Sequence, residues 1–136
     1  MSDSTQGTLA ARFTLAALRV VGAFIFFTSG TMKIFAFPAG MPPDGGTAAA
    51  WSQVWIGGVL EIAGGALLML GLFTRPAAFV MSGMMAVAYF QFHASHSFWP
   101  IVNQGVSAVL YCFLWLYFAA AGAGPWSLDA MRSGKR

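Results

Sequence analysis

The sequence is poor in the residues that usually cover a soluble protein or build a reactive centre. Only 8% of its 136 residues are charged, against about 25% in a typical soluble domain, so these charges cannot give a globular surface its polar cover. Cys112 is the single cysteine, which excludes an intrachain disulfide and any C-x-x-C motif for redox exchange, zinc or iron–sulfur binding. Its position inside an apolar run is typical of a small buried hydrophobe.

Further absences narrow the function. No basic patch is interleaved with aromatic residues, so we predict no nucleic-acid partner. The glycines follow no phosphate-loop pattern, which argues against nucleotide binding. His93 and His96 lie three residues apart, but no cysteine or nearby carboxylate completes a ligand set, so we predict no metal site.

Long apolar runs are what the chain does have. Hydrophobic residues make up 58% of it, and the mean hydropathy is +0.71. The stretch from Val54 to Phe73 is about 20 residues long, which is what a hydrocarbon core of roughly 30 Å requires. It carries one ionisable residue, Glu61. On a helical wheel Glu61 shares a sector with five glycines that we expect to allow close helix packing: Gly57, Gly58, Gly64, Gly65 and Gly71.

The pattern of four apolar runs predicts an all-α fold, an integral membrane four-helix bundle with antiparallel up-down spans. The first run contains Arg19 and is too long for the apolar core of a signal peptide, so we interpret it as an uncleaved span. A linker rich in proline and glycine follows it. The predicted boundaries are a flexible cytoplasmic N-terminus at 1–11, a domain at 12–122 with spans at about 12–35, 52–73, 76–97 and 100–122, and a cytoplasmic C-terminal tail at 123–136.

The basic residues predict the orientation. With four spans both termini lie on one side of the membrane, and Lys33 is the one basic residue near the opposite side. The positive-inside rule therefore places both termini in the cytoplasm of a multi-pass protein of the bacterial inner membrane. The residues that carry this prediction are Arg12, Arg75, Arg132, Lys135 and Arg136.

Glu61 needs a partner inside the membrane, and two cations are within reach along the first span. From the inner boundary, Arg19 lies about 10 Å, Glu61 about 21 Å and Lys33 about 31 Å along the helix axes. Helical side chains lean toward the N-terminus of their own helix, so Lys33 and Glu61 lean toward each other. We therefore predict a Glu61–Lys33 pair, with Arg19 as a weaker partner that extends toward the interface.

Polar residues recur at helical spacing in the third and fourth runs, and they predict a polar pocket lined by aromatics in the outer half of the bundle. Intramembrane ionisable residues and perturbed titratable groups are functional candidates. The alternatives are a structural ion pair that fixes helix register and aromatic side chains that serve only for packing. The predicted pocket residues are Glu61, Lys33, Arg19, Tyr89, His93, Gln104, Ser107 and Tyr111.

These residues and their neighbours resemble the DoxX family of small four-helix membrane proteins. The matching pieces are Arg19 with Gly22 and G-x-x-K at Gly30–Lys33, then EIAGG and LLMLGLFTR in the second run, FWPIVNQG before the fourth, and GAGPWSLD in the tail. The likeness extends from Arg12 to Asp129. The chain departs from the family at Val106, where related sequences often have glutamate, so the resemblance gives it no second carboxylate.

The resemblance implies quinone-linked redox work, because the family takes its name from a subunit of a thiosulfate:quinone oxidoreductase. The chain has no flavin motif, so it would act as an accessory or anchoring subunit beside a soluble or membrane redox partner and not as a catalyst alone. Quinone is the one cofactor that the resemblance implies. Besides the redox protein, the expected partner is the lipid bilayer. A small transporter or proton path through Glu61 and a purely structural module stay open, as does a homo-oligomer.

Overall fold

The computed structural model describes residues 7–134. Residues 1–6 of the predicted N-terminal segment, together with Lys135 and Arg136, lie outside this range. The described residues contain six α-helices and one π-helical segment and no β-strand. The helices are α1 (Leu9–Phe35), α2 (Gln53–Leu70), α3 (Thr74–Ala88), α4 (Pro100–Asn103), α5 (Val106–Ala121) and α6 (Leu128–Arg132), and the π-helical segment Tyr89–His93 continues α3.

The two longest helices are capped by hydroxyl side chains. Thr8 Oγ1 accepts a hydrogen bond from the Ala11 amide at 3.1 Å, so α1 begins at Leu9, before the start that the sequence predicts. Ser52 Oγ accepts from the Trp55 amide at 3.2 Å at the start of α2. Each cap satisfies an amide that has no partner within its helix.

Of the helices described in residues 7–134, α1 and α2 are long and apolar enough to cross a membrane. They correspond to the first two predicted spans. Two further helices are shorter: α3 has 15 residues, and the apolar α5 has 16. The described chain divides into two compact units, one formed by residues 7–73 and 123–134 and the other by Thr74–Gly122.

In the first unit, α1 and α2 run antiparallel along a seam of glycines. A Cβ on Gly30 would lie 2.6 Å from the Gly58 carbonyl oxygen, and one on Gly65 would lie 2.9 Å from Phe27 Cβ. Only hydrogen fits at these positions, which lets the backbones approach closely. Gly58, Gly64 and Gly65 are buried together with Glu61, as the shared sector predicts.

Two of the five predicted packing glycines behave differently. A Cβ on Gly57 would meet no other atom of the described chain within 4 Å, so this glycine lies outside the seam. Gly71 follows α2 as its C-cap, with a φ of 65°. The space beside it is filled by Ser127 and by the Arg19 guanidinium, so Gly71 packs against the C-terminal residues.

In the second unit, α3 and α5 also run antiparallel. Ser82 Oγ donates to the Cys112 carbonyl oxygen at 2.7 Å, and Arg75 Nη1 donates to the Ala120 carbonyl oxygen at 2.5 Å. Cys112 is half-buried within α5.

The third and fourth runs are less regular than the sequence predicts. Regular α-helix ends at Ala88, and the π-helical turn ends at His93, short of the predicted boundary at 97. The fourth run is interrupted where Gln104 takes a left-handed φ of 61° between α4 and α5. The Gly105 amide donates to Asn103 Oδ1 at 2.8 Å and to the Pro100 carbonyl oxygen at 3.2 Å, and it makes no regular α-helical bond.

Candidate intramembrane polar site

A buried ion pair joins α1 and α2. Lys33 Nζ lies 2.7 Å from Glu61 Oε1 and 2.8 Å from Oε2, so the amine donates to both carboxylate oxygens. The exposed fraction of the side chain is 3% for Glu61 and 21% for Lys33. The pair that the sequence predicts is therefore formed, and it is open to the surroundings only on the lysine side.

A hydroxyl group completes this site. Ser29, one helical turn before Lys33, hydrogen-bonds the Glu61 carboxylate, and its Oγ lies 3.4 Å from Lys33 Nζ. Two of the three lysine donors thus make short bonds, and the third makes a long one. Sequence analysis missed Ser29, although its i, i+4 spacing from Lys33 places both on one helix face.

The glycine seam makes room for the pair. Gly58 lies one turn before Glu61, and a Cβ there would lie 3.0 Å from Lys33 Cβ. The linker after α1 folds back on the same end of the helix, where the Ala48 amide donates to the Lys33 carbonyl oxygen at 2.7 Å. A charged pair taken out of water needs close geometry and extra hydrogen bonds to offset its desolvation, and this site has both.

Arg19 does not take part in this pair, and the prediction that it extends toward the interface is wrong. Arg19 is only 1% exposed. Its guanidinium donates to three backbone carbonyl oxygens: Leu68 at 3.1 Å, Ala123 at 2.6 Å and Trp126 at 3.0 Å. The end of α2 and the C-terminal residues supply these acceptors, so Arg19 has no need to reach water.

A second polar cluster lies in the other unit and is centred on Asn103, which sequence analysis missed. Asn103 Nδ2 donates to the Ser97 carbonyl oxygen at 2.6 Å and to Tyr89 Oη at 3.3 Å. The Tyr89 hydroxyl donates to the Phe98 carbonyl oxygen. His93 Nδ1 lies 3.0 Å from the Asn103 carbonyl oxygen, and because a carbonyl only accepts, Nδ1 carries the proton.

The other predicted pocket residues of this unit are more open. Gln104 and Ser107 are exposed. Tyr111 is half-buried, and its ring lies 5.7 Å from that of Trp115, centroid to centroid. The structure thus brings Tyr89 and His93 together around Asn103 and pairs Lys33 with Glu61. The convergence of all eight side chains on one pocket stays a prediction.

Comparison with known proteins places these residues in a family. The sequence model of the DoxX family matches residues 14–94 of the chain, a range that holds most of α1 and all of α2, α3 and the π-helical turn. The chain belongs to the DoxX family. The resemblance carried by the glutamate–glycine motif and the arginine–glycine face is thereby confirmed.

A curated relative of this DoxX chain is an uncharacterised protein of Haemophilus influenzae. The two are 46% identical over 120 residues, which cover 86% of this chain and 89% of the relative. No solved structure matches the chain. Membership of the DoxX family, together with two candidate spans, identifies a membrane-type protein. The Lys33–Glu61 pair lies inside the family match, whereas Asn103 and the tail carbonyls that bind Arg19 lie beyond it.

Proposed function

We propose that this DoxX chain is an accessory or anchoring subunit of a quinone-linked oxidoreductase of the bacterial inner membrane. The observation that carries the proposal is the buried Lys33–Glu61 pair, closed on the glutamate side and open on the lysine side. Ionisable residues inside membrane spans mark ligand or proton sites. The family resemblance to a thiosulfate:quinone oxidoreductase subunit supports a quinone as the ligand.

The proposed architecture is a bundle of four antiparallel spans with both termini in the cytoplasm. In it α3 with its π-helical turn forms the third span, and α4 with α5 forms the fourth. Many large apolar side chains of α3 and α5 are exposed, among them Phe79, Val80, Leu110 and Phe113, which is what a lipid environment favours. The excess of arginine at one end supports the orientation.

Lysine chemistry indicates how a quinone would be held. An ammonium group has three donors, and the donor that reaches Ser29 Oγ makes a long bond of 3.4 Å. A quinone carbonyl oxygen on the open side of Lys33 would replace this bond without disturbing the two bonds to Glu61. The Glu61 carboxylate would stay in place as the counter-charge of the amine.

The chain has no means of transferring electrons by itself, since its sequence has no flavin motif and no cysteine pair. A soluble or membrane redox protein is therefore the proposed partner, and the DoxX subunit would hold it at the bilayer. Self-association into a homo-oligomer is compatible with this role.

Purification of the intact complex from native membrane tests the proposal. Tagged wild-type protein should bring down a redox protein and retain quinone on organic extraction. Lys33→Met with Glu61→Gln should lower the retained quinone while the protein still folds. Val59→Met, a change on an exposed face of α2, is the matched control.

Three outcomes would separate the alternatives. Wild-type protein purified alone and without quinone would contradict the proposal. Solute or proton flux in liposomes that disappears in Glu61→Gln would instead favour a transport path. An unchanged phenotype of the double variant would favour a structural module.

A further inference from the structure

The C-terminal residues beyond α5 fold back onto α1 and α2. We name residues 123–132 the strap. Two of its carbonyl oxygens, those of Ala123 and Trp126, accept hydrogen bonds from the buried Arg19 guanidinium. Arg19 lies in α1, more than a hundred residues earlier in the chain. The third acceptor is the Leu68 carbonyl in the last turn of α2, so Arg19 joins three separate segments of the first unit.

Further bonds attach the strap to the end of α2. The Asp129 amide donates to the Gly71 carbonyl oxygen at 2.9 Å, and Asp129 Oδ1 accepts from the Phe73 amide at 2.9 Å. Ser127 Oγ caps α6 by accepting from the Ala130 amide at 3.1 Å. The strap is therefore joined to the end of α2 through both its backbone and a side chain.

Cation–ring contacts occur at both edges of the strap. The Arg12 guanidinium lies 5.9 Å from the centre of the Trp126 ring, and that of Arg132 lies 4.8 Å from the Phe73 ring. Phe13 also packs edge-on against Trp126, with centroids 6.4 Å apart. One contact joins the strap to α1 and the other joins it to the residues after α2.

The strap is attached mainly through polar bonds. Its apolar side chains contribute less, since Trp126, which touches Phe13 at its edge, is still 53% exposed and Met131 is 70% exposed. Lifting the strap would leave Arg19 with one carbonyl acceptor in place of three. Even when water replaces the two lost acceptors, hydrogen bonds from a charged donor to protein carbonyls are favourable on balance. The free energy that holds the strap thus depends on Arg19.

We propose that the strap is a hinged closure over the end of the α1–α2 pair and that Arg19 is its latch. The docked strap covers Gly71 and the last turn of α2, and the released strap exposes Arg19 and the carbonyls of that turn. Hydrogen bonds from a charged donor each change an equilibrium by roughly ten-fold or more. Loss of the two bonds to the strap should accordingly lower its docked-to-released ratio by about 100-fold.

Cysteine labelling in the full-length protein, reconstituted in nanodiscs, tests this proposal. Ser127 is buried and Ser133 is exposed, so Ser127→Cys and Ser133→Cys are matched probes in a Cys112→Ala background. A hydrophilic maleimide should label Ser127→Cys at least about ten-fold more slowly than Ser133→Cys, because a buried position reacts only through local opening. Adding Arg19→Gln should bring the two rates close together and leave the rate at Ser133→Cys unchanged.

A second variant keeps the test decisive if Arg19→Gln does not fold. A Cβ on Gly71 would overlap Ser127 Cβ and lie 3.2 Å from the Arg19 guanidinium carbon, whereas one on Gly45 would meet nothing within 4 Å. Both glycines have left-handed φ values, 65° and 73°, so Gly45→Ala controls for backbone strain. Gly71→Ala should speed labelling of Ser127→Cys, and Gly45→Ala should not.

Two results would overturn the proposal. One is Ser127→Cys reacting as fast as Ser133→Cys while Arg19 is intact. The other is protection of Ser127→Cys that persists in Gly71→Ala and in any Arg19→Gln protein that folds.

Discussion

The charge of Glu61 is held inside an apolar helix pair by one amine and one hydroxyl. We expect Glu61→Gln to lower the free energy of unfolding by about 3 kcal/mol, because the Lys33 amine then stays buried without its counter-charge. Lys33→Met should cost a similar amount for the opposite reason. The measurement is reversible unfolding in mixed micelles by a denaturing detergent.

The double variant discriminates between pairing and simple packing. Combining Lys33→Met with Glu61→Gln removes both charges, so its cost should be clearly smaller than the sum of the two single costs. Val59→Met, on an exposed face of α2, should change stability by less than about 0.5 kcal/mol. Additive single costs would show that the two charges do not stabilise each other.

The Asn103 side chain also makes several hydrogen bonds. It is buried, donates to Ser97 and Tyr89, and accepts from the Gly105 amide. Asn103→Ala should destabilise the protein by roughly 2 kcal/mol, since the Ser97 carbonyl loses this donor and the Gly105 amide keeps only its longer bond to the Pro100 carbonyl. Thermal unfolding checks this, with the exposed neighbour variant Gln104→Ala as control. Equal effects of the two variants would contradict it.

The sequence could predict the Lys33–Glu61 pair because both partners are rare charged side chains whose depth and direction follow from helix geometry. The same reasoning failed for Arg19. Its acceptors are backbone carbonyls of Leu68, Ala123 and Trp126, and every residue has such a group, so the sequence carries no signal for them. Asn103 was missed for a similar reason, since two of its partners are backbone groups in an irregular segment.

A change from glycine to alanine should have different effects on stability at two positions of α2. A Cβ on Gly65 would lie 2.9–3.1 Å from the Cβ, Cα and N atoms of Phe27, two of which are backbone atoms that cannot turn aside. Gly65→Ala should therefore separate α1 from α2 and cost about 1–3 kcal/mol. Gly57→Ala places the same methyl group in open space, so it should be neutral or slightly stabilising through helix propensity.

Detergent unfolding of these two alanine variants provides the measurement. Both carry the same substitution in the interior of one helix, so their difference isolates the contact with Phe27. Destabilisation of equal size in both would contradict a packed seam at Gly65.

Helix bounds were predictable where apolar runs end at proline and glycine, and less so where the backbone changes helix type. The first two predicted spans correspond to α1 and α2 because their length and caps are encoded locally. The π-helical turn at Tyr89–His93 and the break at Gln104 are accompanied by hydrogen bonds to Asn103, one from the nearby Gly105 amide and one from His93. Apolar periodicity alone does not report such bonds.

The chain leaves its first compact unit after Phe73 and returns to it at Ala123. The unit at 7–73 is completed by residues 123–134, and Thr74–Gly122 forms the intervening unit. The first unit is therefore complete only after nearly the whole chain has been synthesised. This return of the tail could not be predicted from apolar runs, which treat residues after Gly122 as a free end.

The proposed topology makes a prediction for intact cells. With an even number of spans and both termini in the cytoplasm, Ser133 lies inside, and Asp44, in the exposed linker between α1 and α2, lies outside. In a Cys112→Ala background, an impermeant maleimide should label Asp44→Cys in intact cells and Ser133→Cys only after the membrane is opened. The excess of arginine at the end that carries the termini is the physical reason. Labelling of Ser133→Cys in intact cells would contradict this orientation, and labelling of both sites would contradict an odd number of spans between the linker and the tail.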